Sequence, residues 1–284
     1  VKNNAGDIKI LYPLSLKELG NLCEEFPDAL LFAGGTQLMR TIKEDPRCLI
    51  SLNAIRELTR IRRKENYIEI GSCVTLSRIL SLGENVVPKA LYKAISAAVG
   101  PSIRNTATIG GNICTISHIS DLIAPLVLYD ARVELRTLSG IHWLPLLRFI
   151  QTHEKTGIVA GETLLVIRIP LEEWDMQTFI KTDIIHSPKL SVLKCAAAVR
   201  TNKNSINDLR LVFGGISPIV LRSRELEGIL IGDKLPLQKK SIDLFCSELT
   251  KLLETKKEDF LPHPYHFGTA IRFTRYFLSS LNTG

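Results

Sequence analysis

Two glycine-rich stretches carry the residue types that bind anions. One is Ala33-Gly34-Gly35-Thr36. The other is Thr108-Ile109-Gly110-Gly111-Asn112-Ile113, followed by Ser120-Asp121. Paired glycines let the backbone take positive φ and approach a ligand closely, because no Cβ intervenes. Successive N–H groups in such a turn converge on an anion. A tight connection at positive φ needs the same glycines, so both readings stand at Gly110-Gly111. Two such turns in one chain point to an extended ligand carrying a diphosphate. Asp121 fits either an acceptor for sugar hydroxyls or a carboxylate favoured by the positive end of a helix.

Other chemistry-bearing residues are less specific. Ser117, His118 and Asp121 are the types of a hydrolytic triad, but triads are defined by geometry and no nucleophile elbow accompanies them. His263-Pro264-Tyr265-His266 has metal-like spacing without a third ligand, and reads as surface histidines ahead of a helix. Gly214-Gly215 reads as a turn after a strand. The six cysteines (23, 48, 73, 114, 195 and 246) are dispersed with no CxxC pair. They fit small semi-buried thiols in a reducing cytoplasm better than a disulfide framework or a thiolate metal cluster.

The elements around these stretches are legible in part. Ser15-Leu16-Lys17-Glu18 is a capping box that opens a helix to about Phe26. Ala29 to Ala33 reads as a buried strand, with Thr36 capping a helix through Lys43. This strand–turn–helix unit resembles a dinucleotide fingerprint, but the third glycine and a following parallel-strand pattern are missing. Leu49 to Leu52 is a strand, and Leu58 to Arg62 with Tyr67 to Ile70 forms a hairpin. Helices start at Thr75 and Pro88, and a loop runs from Ser102 to Ser117. Asp121 to Asp130 is helical, with Ser120 as N-cap. Strands follow at Ala131 to Thr137, Ile141 to Leu144 and Glu162 to Ile169. Beyond Glu172 to Asp175 the pattern changes to strands (Thr178 to Lys181, Ser191 to Arg200, Asn207 to Phe213) and then helices (Arg222 to Ile231, Leu237 to Leu253, His266 to Leu281). The order predicts an α+β fold with a domain boundary near 171–176.

The bulk properties exclude some classes. The chain has 284 residues, enough for two modest domains, with 45% apolar and 23% charged residues. A net charge of +7 is spread in short clusters, without a basic helix carrying interleaved aromatics, which argues against nucleic-acid binding. No apolar run spans a bilayer, and Val1 to Gly6 is polar with no signal-peptide core, so a cytoplasmic location is expected.

Taken together and in order, the motifs resemble the FAD-binding medium subunit of the molybdenum hydroxylases, the xanthine dehydrogenase and carbon monoxide dehydrogenase family. The residues that carry the resemblance are Leu31-Phe32-Ala33-Gly34-Gly35-Thr36-Gln37-Leu38, Ile103 to Ile113 (I-R-N-T-A-T-I-G-G-N-I), Ser120-Asp121, the strand Leu164 to Pro170, and Lys181 two residues after Phe179. The resemblance implies a two-subdomain FAD-binding fold of the vanillyl-alcohol-oxidase type over residues 1–172 (subdomains about 1–55 and 56–172). A smaller α+β domain would follow over 173–284.

It further implies that the amides of residues 33–38 hold the FAD diphosphate. Thr108, Gly111, Asn112 and Thr115 would complete the diphosphate and ribityl contacts, and Ser120-Asp121 would bind sugar or ribityl hydroxyls. Leu38 and Ile113 would pack near the flavin, Leu164 or Leu165 near the adenine, and Lys181 would join the site. No catalytic side chain and no metal ligand is implied. The implied partners are an iron–sulfur subunit and a molybdopterin-binding large subunit, with NAD+ or another acceptor. The chain departs from the family at His118, where proline is frequent, and at His186-Ser187-Pro188-Lys189, which replaces an arginine-rich segment. A stand-alone flavin oxidoreductase and a flavin-free assembly subunit remain the alternatives.

Overall fold

In the computed structural model the described residues are 8–42, 46–116, 120–137, 140–153, 157–159, 161–183, 192–218, 220–255 and 264–282. The helices are α1 (Leu16–Glu25), α2 (Leu38–Thr41), α3 (Leu76–Leu80), α4 (Lys89–Ala98), α5 (Pro101–Arg104), α6 (Ile109–Cys114), α7 (Ile123–Leu128), α8 (Leu146–His153), α9 (Arg224–Gly228), α10 (Lys239–Thr255) and α11 (Pro264–Ser280). Helix and sheet are mixed in two compact units. The first takes in the described residues of Val1–Gly83, Val99–Ile116 and Asp130–Leu171, and the second those of Glu84–Ala98, Ser117–Tyr129 and Glu172–Gly284. Among the described residues no helix is long and apolar enough to cross a membrane.

The first unit holds two sheets. Strands β1 (Lys9–Leu11), β2 (Leu30–Phe32) and β3 (Cys48–Ser51) form a parallel sheet in the order β1-β3-β2. The segment from β2 through α2 to β3 is therefore a β-α-β crossover, the parallel pattern that the sequence did not display. It escaped detection because each strand has only three or four residues, too few for a periodic signal. Leu19 of α1, Ile50, Leu52, Ile55, Leu58, Cys73 and Leu165 pack into one buried cluster. Ser15 caps α1 as expected, its hydroxyl accepting from Glu18 N.

Strands β4 (Ile61–Arg63), β5 (Tyr67–Gly71), β6 (Arg132–Thr137), β7 (Gly140–Pro145) and β8 (Thr163–Pro170) form an antiparallel sheet in the order β4-β5-β8-β6-β7. The β4–β5 hairpin matches the expectation, except that Arg56–Thr59 is a 3₁₀ turn rather than the start of the first strand. Helix α8 was not expected. Its buried face is Leu146, Phe149, Ile150 and His153.

The second unit is built on an antiparallel sheet in the order β12-β11-β10-β9, from β9 (Met176–Asp183), β10 (Val192–Asn202), β11 (Ser205–Gly214) and β12 (Val220–Leu221). One face packs on α10 and α11 through Leu193, Leu211, Phe213, Phe245, Leu249 and Phe277, among others. Helices α4 and α7, which precede this sheet in sequence, belong to the same unit. The carbonyls at the end of α7 are satisfied by side chains: Arg222 donates to Val127 O at 2.7 Å and Arg210 to Leu128 O at 3.1 Å. Cations suit a helix C-terminus, where unpaired carbonyls carry partial negative charge.

Candidate functional site

The first glycine turn lies between β2 and α2. Gly35 sits at φ +65°, so the left-handed backbone that explains a glycine is real at this position. Gly34 serves a different need: a Cβ there would lie 1.9 Å from Thr106 O, so its absence brings the turn directly against the segment that leads into α6. Asn53 fastens the turn from below, its Nδ2 donating to Ala33 O at 2.9 Å. The expected cap is absent, since Gln37 is the N-cap of α2 and makes no side-chain cap bond. The amides of Gly34, Gly35, Thr36, Gln37 and Leu38 donate to no acceptor among the described residues. Five adjacent N–H groups without an acceptor among the described residues are donors available to an anion.

The second glycine pair behaves otherwise. The region expected as a loop holds α5 and α6, and Gly110-Gly111 is the first turn of α6, not a connection at positive φ. Its amides are used inside the protein. Ile109 N donates to Val74 O at 3.0 Å and Gly110 N to Ser72 O at 2.9 Å. Gly111 N donates to Thr108 Oγ1 at 3.1 Å, which makes Thr108 the N-cap. The expectation that these amides converge on an anion is therefore corrected. Gly110 is a packing glycine, because a Cβ there would lie 2.5 Å from Ser72 Cβ. Gly111 is exposed, and the atom nearest to a Cβ there would be Thr108 Oγ1 at 3.0 Å. Apart from that tight approach to the capping hydroxyl, the position faces open space.

That space is part of a cavity of about 560 Å³ contained within the first unit. Leu31, Phe32, Ala33 and Leu38 of the first turn line it, as do Gly110, Gly111 and Cys114 of α6. Cys23, Phe26 to Leu30, Leu52, Ser72, Cys73 and the stretch from Ile158 through Val159 and Gly161 to Leu164 complete the wall. Leu164 lines the cavity, whereas Leu165, on the opposite face of β8, belongs to the cluster around Leu19 and Ile50. Ile113 is fully buried. Thr115 hydroxyl donates to Gly111 O at 2.9 Å, and Asn112 is partly exposed.

Burial pushes the Cys73 thiol up to about 11, and Cys114 up to about 12 with the help of its neighbour Cys73. Both stay protonated at neutral pH. All six cysteines are free. In the native chain Cys73 and Cys114 are expected to react with iodoacetamide at pH 7 at least about tenfold slower than in urea; mass spectrometry of the alkylated peptides reads this directly, and equal rates would contradict it.

The remaining expected residues lie in the second unit. Ser120 is buried but does not cap α7, whose N-cap is Leu122. Asp121 is only 6% exposed, and its carboxylate lies 3.1 Å from Lys181 Nζ and 3.8 Å from Lys194 Nζ. Lys181 also donates to Ala98 O at 3.3 Å. Lys181 and Lys194 are register partners on β9 and β10. Like charges directly opposite on a sheet repel, so the carboxylate between them is what makes the pair tolerable. Lys194, 1% exposed, was missed in sequence; the visible signal was a lone charge inside the apolar run Val192 to Val199.

His118, His186, His263 and Ser117 lie outside the described residues. His266 is fully buried rather than a surface histidine, its Nδ1 lying 3.0 Å from Gly215 O. Gly215 takes φ +87° and approaches Val192 O too closely for a Cβ. Among the described residues no group of three or more His, Cys, Asp or Glu can hold a metal ion.

Comparison with known proteins adds to this geometry. Residues 6–172 match the family described as FAD binding domain in molybdopterin dehydrogenase, and residues 186–280 match the CO dehydrogenase flavoprotein C-terminal domain. The chain is 29% identical over 232 residues to the xanthine dehydrogenase FAD-binding subunit of Escherichia coli O157:H7, covering 79% of each chain. It is 29% identical over 245 residues to the nicotinate dehydrogenase FAD-subunit of Eubacterium barkeri, covering 82% of each. The fold resembles that of a chain in carbon monoxide dehydrogenase from Hydrogenophaga pseudoflava, with a TM-score of 0.80 at 20% identity over 98% of this chain and 96% of that one.

Proposed function

We propose that this chain, which belongs to the family of FAD-binding domains in molybdopterin dehydrogenases, is the electron-transfer flavoprotein subunit of a molybdenum-containing dehydrogenase, like the xanthine and nicotinate dehydrogenase subunits it is similar to. FAD is its cofactor, and the chain is part of an oxidoreductase. Electrons arrive from an iron–sulfur subunit, supplied in turn by a molybdopterin-binding large subunit, and leave to NAD+ or another acceptor in the cytoplasm. When bound, FAD supplies the reversible redox chemistry.

The observation that carries this reading is the row of amides at residues 34–38, without acceptors among the described residues, flanked by Ala33 and Leu38 of a cavity lined by both glycine stretches. The amides hold the diphosphate. Thr36, Gln37 and Leu38 continue that contact, and Leu31, Phe32 and Ala33 form the wall beneath it. Gly111 leaves room for the cofactor, while Thr108 keeps the turn of α6 in place through its cap. Asn112, Ile113 and Thr115 extend this edge. The cavity would hold the adenosine half, with Leu164 beside the adenine, and Leu165 supports that strand from its other face. In the second unit, Ser120, Asp121 and Lys181 are the groups suited to sugar or ribityl hydroxyls, and Lys194 lies beside the Asp121 carboxylate. The FAD-binding domain ends at residue 172, with subdomains of about 1–55 and 56–172, and 173–284 forms the C-terminal domain.

A direct test is titration of the flavin-free chain with FAD, read by flavin fluorescence. Wild type takes up FAD. Gly111→Trp, whose Cβ crowds only the Thr108 hydroxyl, melts close to wild type and loses at least about 100-fold in affinity, as expected when a large side chain occupies a ligand's place. Equal FAD uptake by wild type and the variant would sink the reading.

A further inference from the structure

We propose that Glu162 reads the nucleoside end of the bound dinucleotide, accepting a hydrogen bond from a ribose hydroxyl or the adenine amino group, and that His153 is the residue that positions it. This rests on the reading that the cavity takes the adenosine half of FAD.

Glu162 stands just before β8 and lines the cavity beside Thr163 and Leu164. Its side chain is only 16% exposed. Oε2 is held twice, by His153 Nε2 at 2.9 Å and by the Val159 N–H at 3.3 Å. Oε1 accepts from no described residue. His153 ends α8 and is 5% exposed, with its Nδ1 2.8 Å from Phe149 O. A carbonyl oxygen can only accept, so Nδ1 carries a hydrogen. On the other side of the ring, Nε2 lies 2.9 Å from Oε2 of Glu162. The imidazole is thus pinned at both nitrogens, and it pins one oxygen of Glu162.

Oε1 is thus left without a donor among the described residues, on a side chain that lines the cavity and is largely removed from water. An acceptor removed from water is costly until a donor meets it, and a hydrogen bond to a charged group is among the stronger ones. The surrounding wall is largely apolar, with Phe26, Leu31 and Leu164 suited to a flat ring. A purine nucleoside presents both a flat ring and hydroxyl or amine donors. FMN has neither at this end, so Glu162 favours the dinucleotide over the mononucleotide.

The test compares dissociation constants of FAD and FMN for the flavin-free chain. Glu162→Leu is expected to weaken FAD about 10- to 100-fold, the worth of one hydrogen bond to a charged acceptor, and to leave FMN unchanged. Glu162→Gln, which keeps an acceptor oxygen but loses its charge, and His153→Leu each weaken FAD less than Glu162→Leu does. FAD analogues lacking the adenine amino group or the adenosine ribose hydroxyls identify the donor without any change to the protein: the analogue without it binds wild type and Glu162→Leu alike. The assignment is overturned if Glu162→Leu binds FAD as wild type does, if FAD and FMN weaken equally, or if both analogues keep the full difference. Loss of FAD in Gly111→Trp but not in Glu162→Leu would remove the Glu162 assignment alone, whereas retention in both would remove the cavity reading beneath it.

Discussion

Gly34→Ala is expected to destabilise the first unit by about 3–5 kcal/mol, among the larger costs of a single substitution. The added methyl would lie 1.9 Å from Thr106 O and 2.7 Å from the Thr106 carbonyl carbon. Both atoms belong to backbone, so no side chain can swing aside. Either the turn or the segment before α6 must move, and the cavity lies between them. The neighbouring glycines calibrate the effect. Gly35→Ala meets nothing closer than Met39 Cγ at 3.7 Å, but it places an alanine at φ +65°, a left-handed position costing about 1–2 kcal/mol. Gly111→Ala lies on a helix and approaches only Thr108 Oγ1, so the gain in helix propensity, about 1 kcal/mol, offsets its crowding. Urea unfolding of the three variants should rank them Gly34, Gly35, Gly111 in order of decreasing loss. A Gly34→Ala protein as stable as wild type would show that the close approach of these two segments is not what the glycine provides.

Arg222→Met is expected to cost the second unit about 3–5 kcal/mol, the penalty of leaving a buried charge without its partner. Arg222 and Glu227 have side chains only 3% and 4% exposed and meet at 2.8 Å. The same carboxylate accepts from Leu211 N at 2.9 Å, and the guanidinium caps Val127 O at 2.7 Å. Removing the arginine therefore strands a carboxylate and frees a carbonyl at the end of α7. Exposed Arg224, whose Nη1 lies 3.4 Å from Glu227 Oε2, offers only partial replacement. The double variant R222M/E227Q removes the stranded charge and keeps an acceptor for Leu211 N, so it should recover much of the loss. Chemical unfolding followed by circular dichroism measures both. A double variant no better than R222M would place the cost in the lost cap of α7 rather than in the stranded charge.

Local signals were sufficient for much of the chain. The box at Ser15 to Glu18 specified a helix start because capping is satisfied within four residues. The alternation of Ala131 to Thr137 specified a strand, and the mostly apolar segment Ser191 to Arg200 another, where β6 and β10 lie. The order of strands and helices gave an α+β fold before any packing was known, because each element must bury its apolar face against another. The Gly-Gly pairs marked two places where backbone comes close to something.

What they come close to was decided by tertiary structure. A glycine pair reads the same whether it needs positive φ, a packed neighbour or open space, since all three follow from the missing Cβ. Only folding separates Gly35, set by φ, from Gly34 and Gly110, set by backbone neighbours, and from Gly111, which faces the cavity. Amide availability is likewise a long-range property: the first α6 amides are taken by Val74 and Ser72, more than 30 residues upstream, while those of residues 34–38 find no acceptor among the described residues. The pairs Lys194 with Asp121 and His153 with Glu162 arise where strands and helices meet. Sequence by itself determined that this chain has two glycine stretches fit to surround an extended ligand. The three-dimensional arrangement decided that one presents hydrogen-bond donors and the other presents space, because hydrogen bonds and steric contacts depend on neighbours distant in the chain.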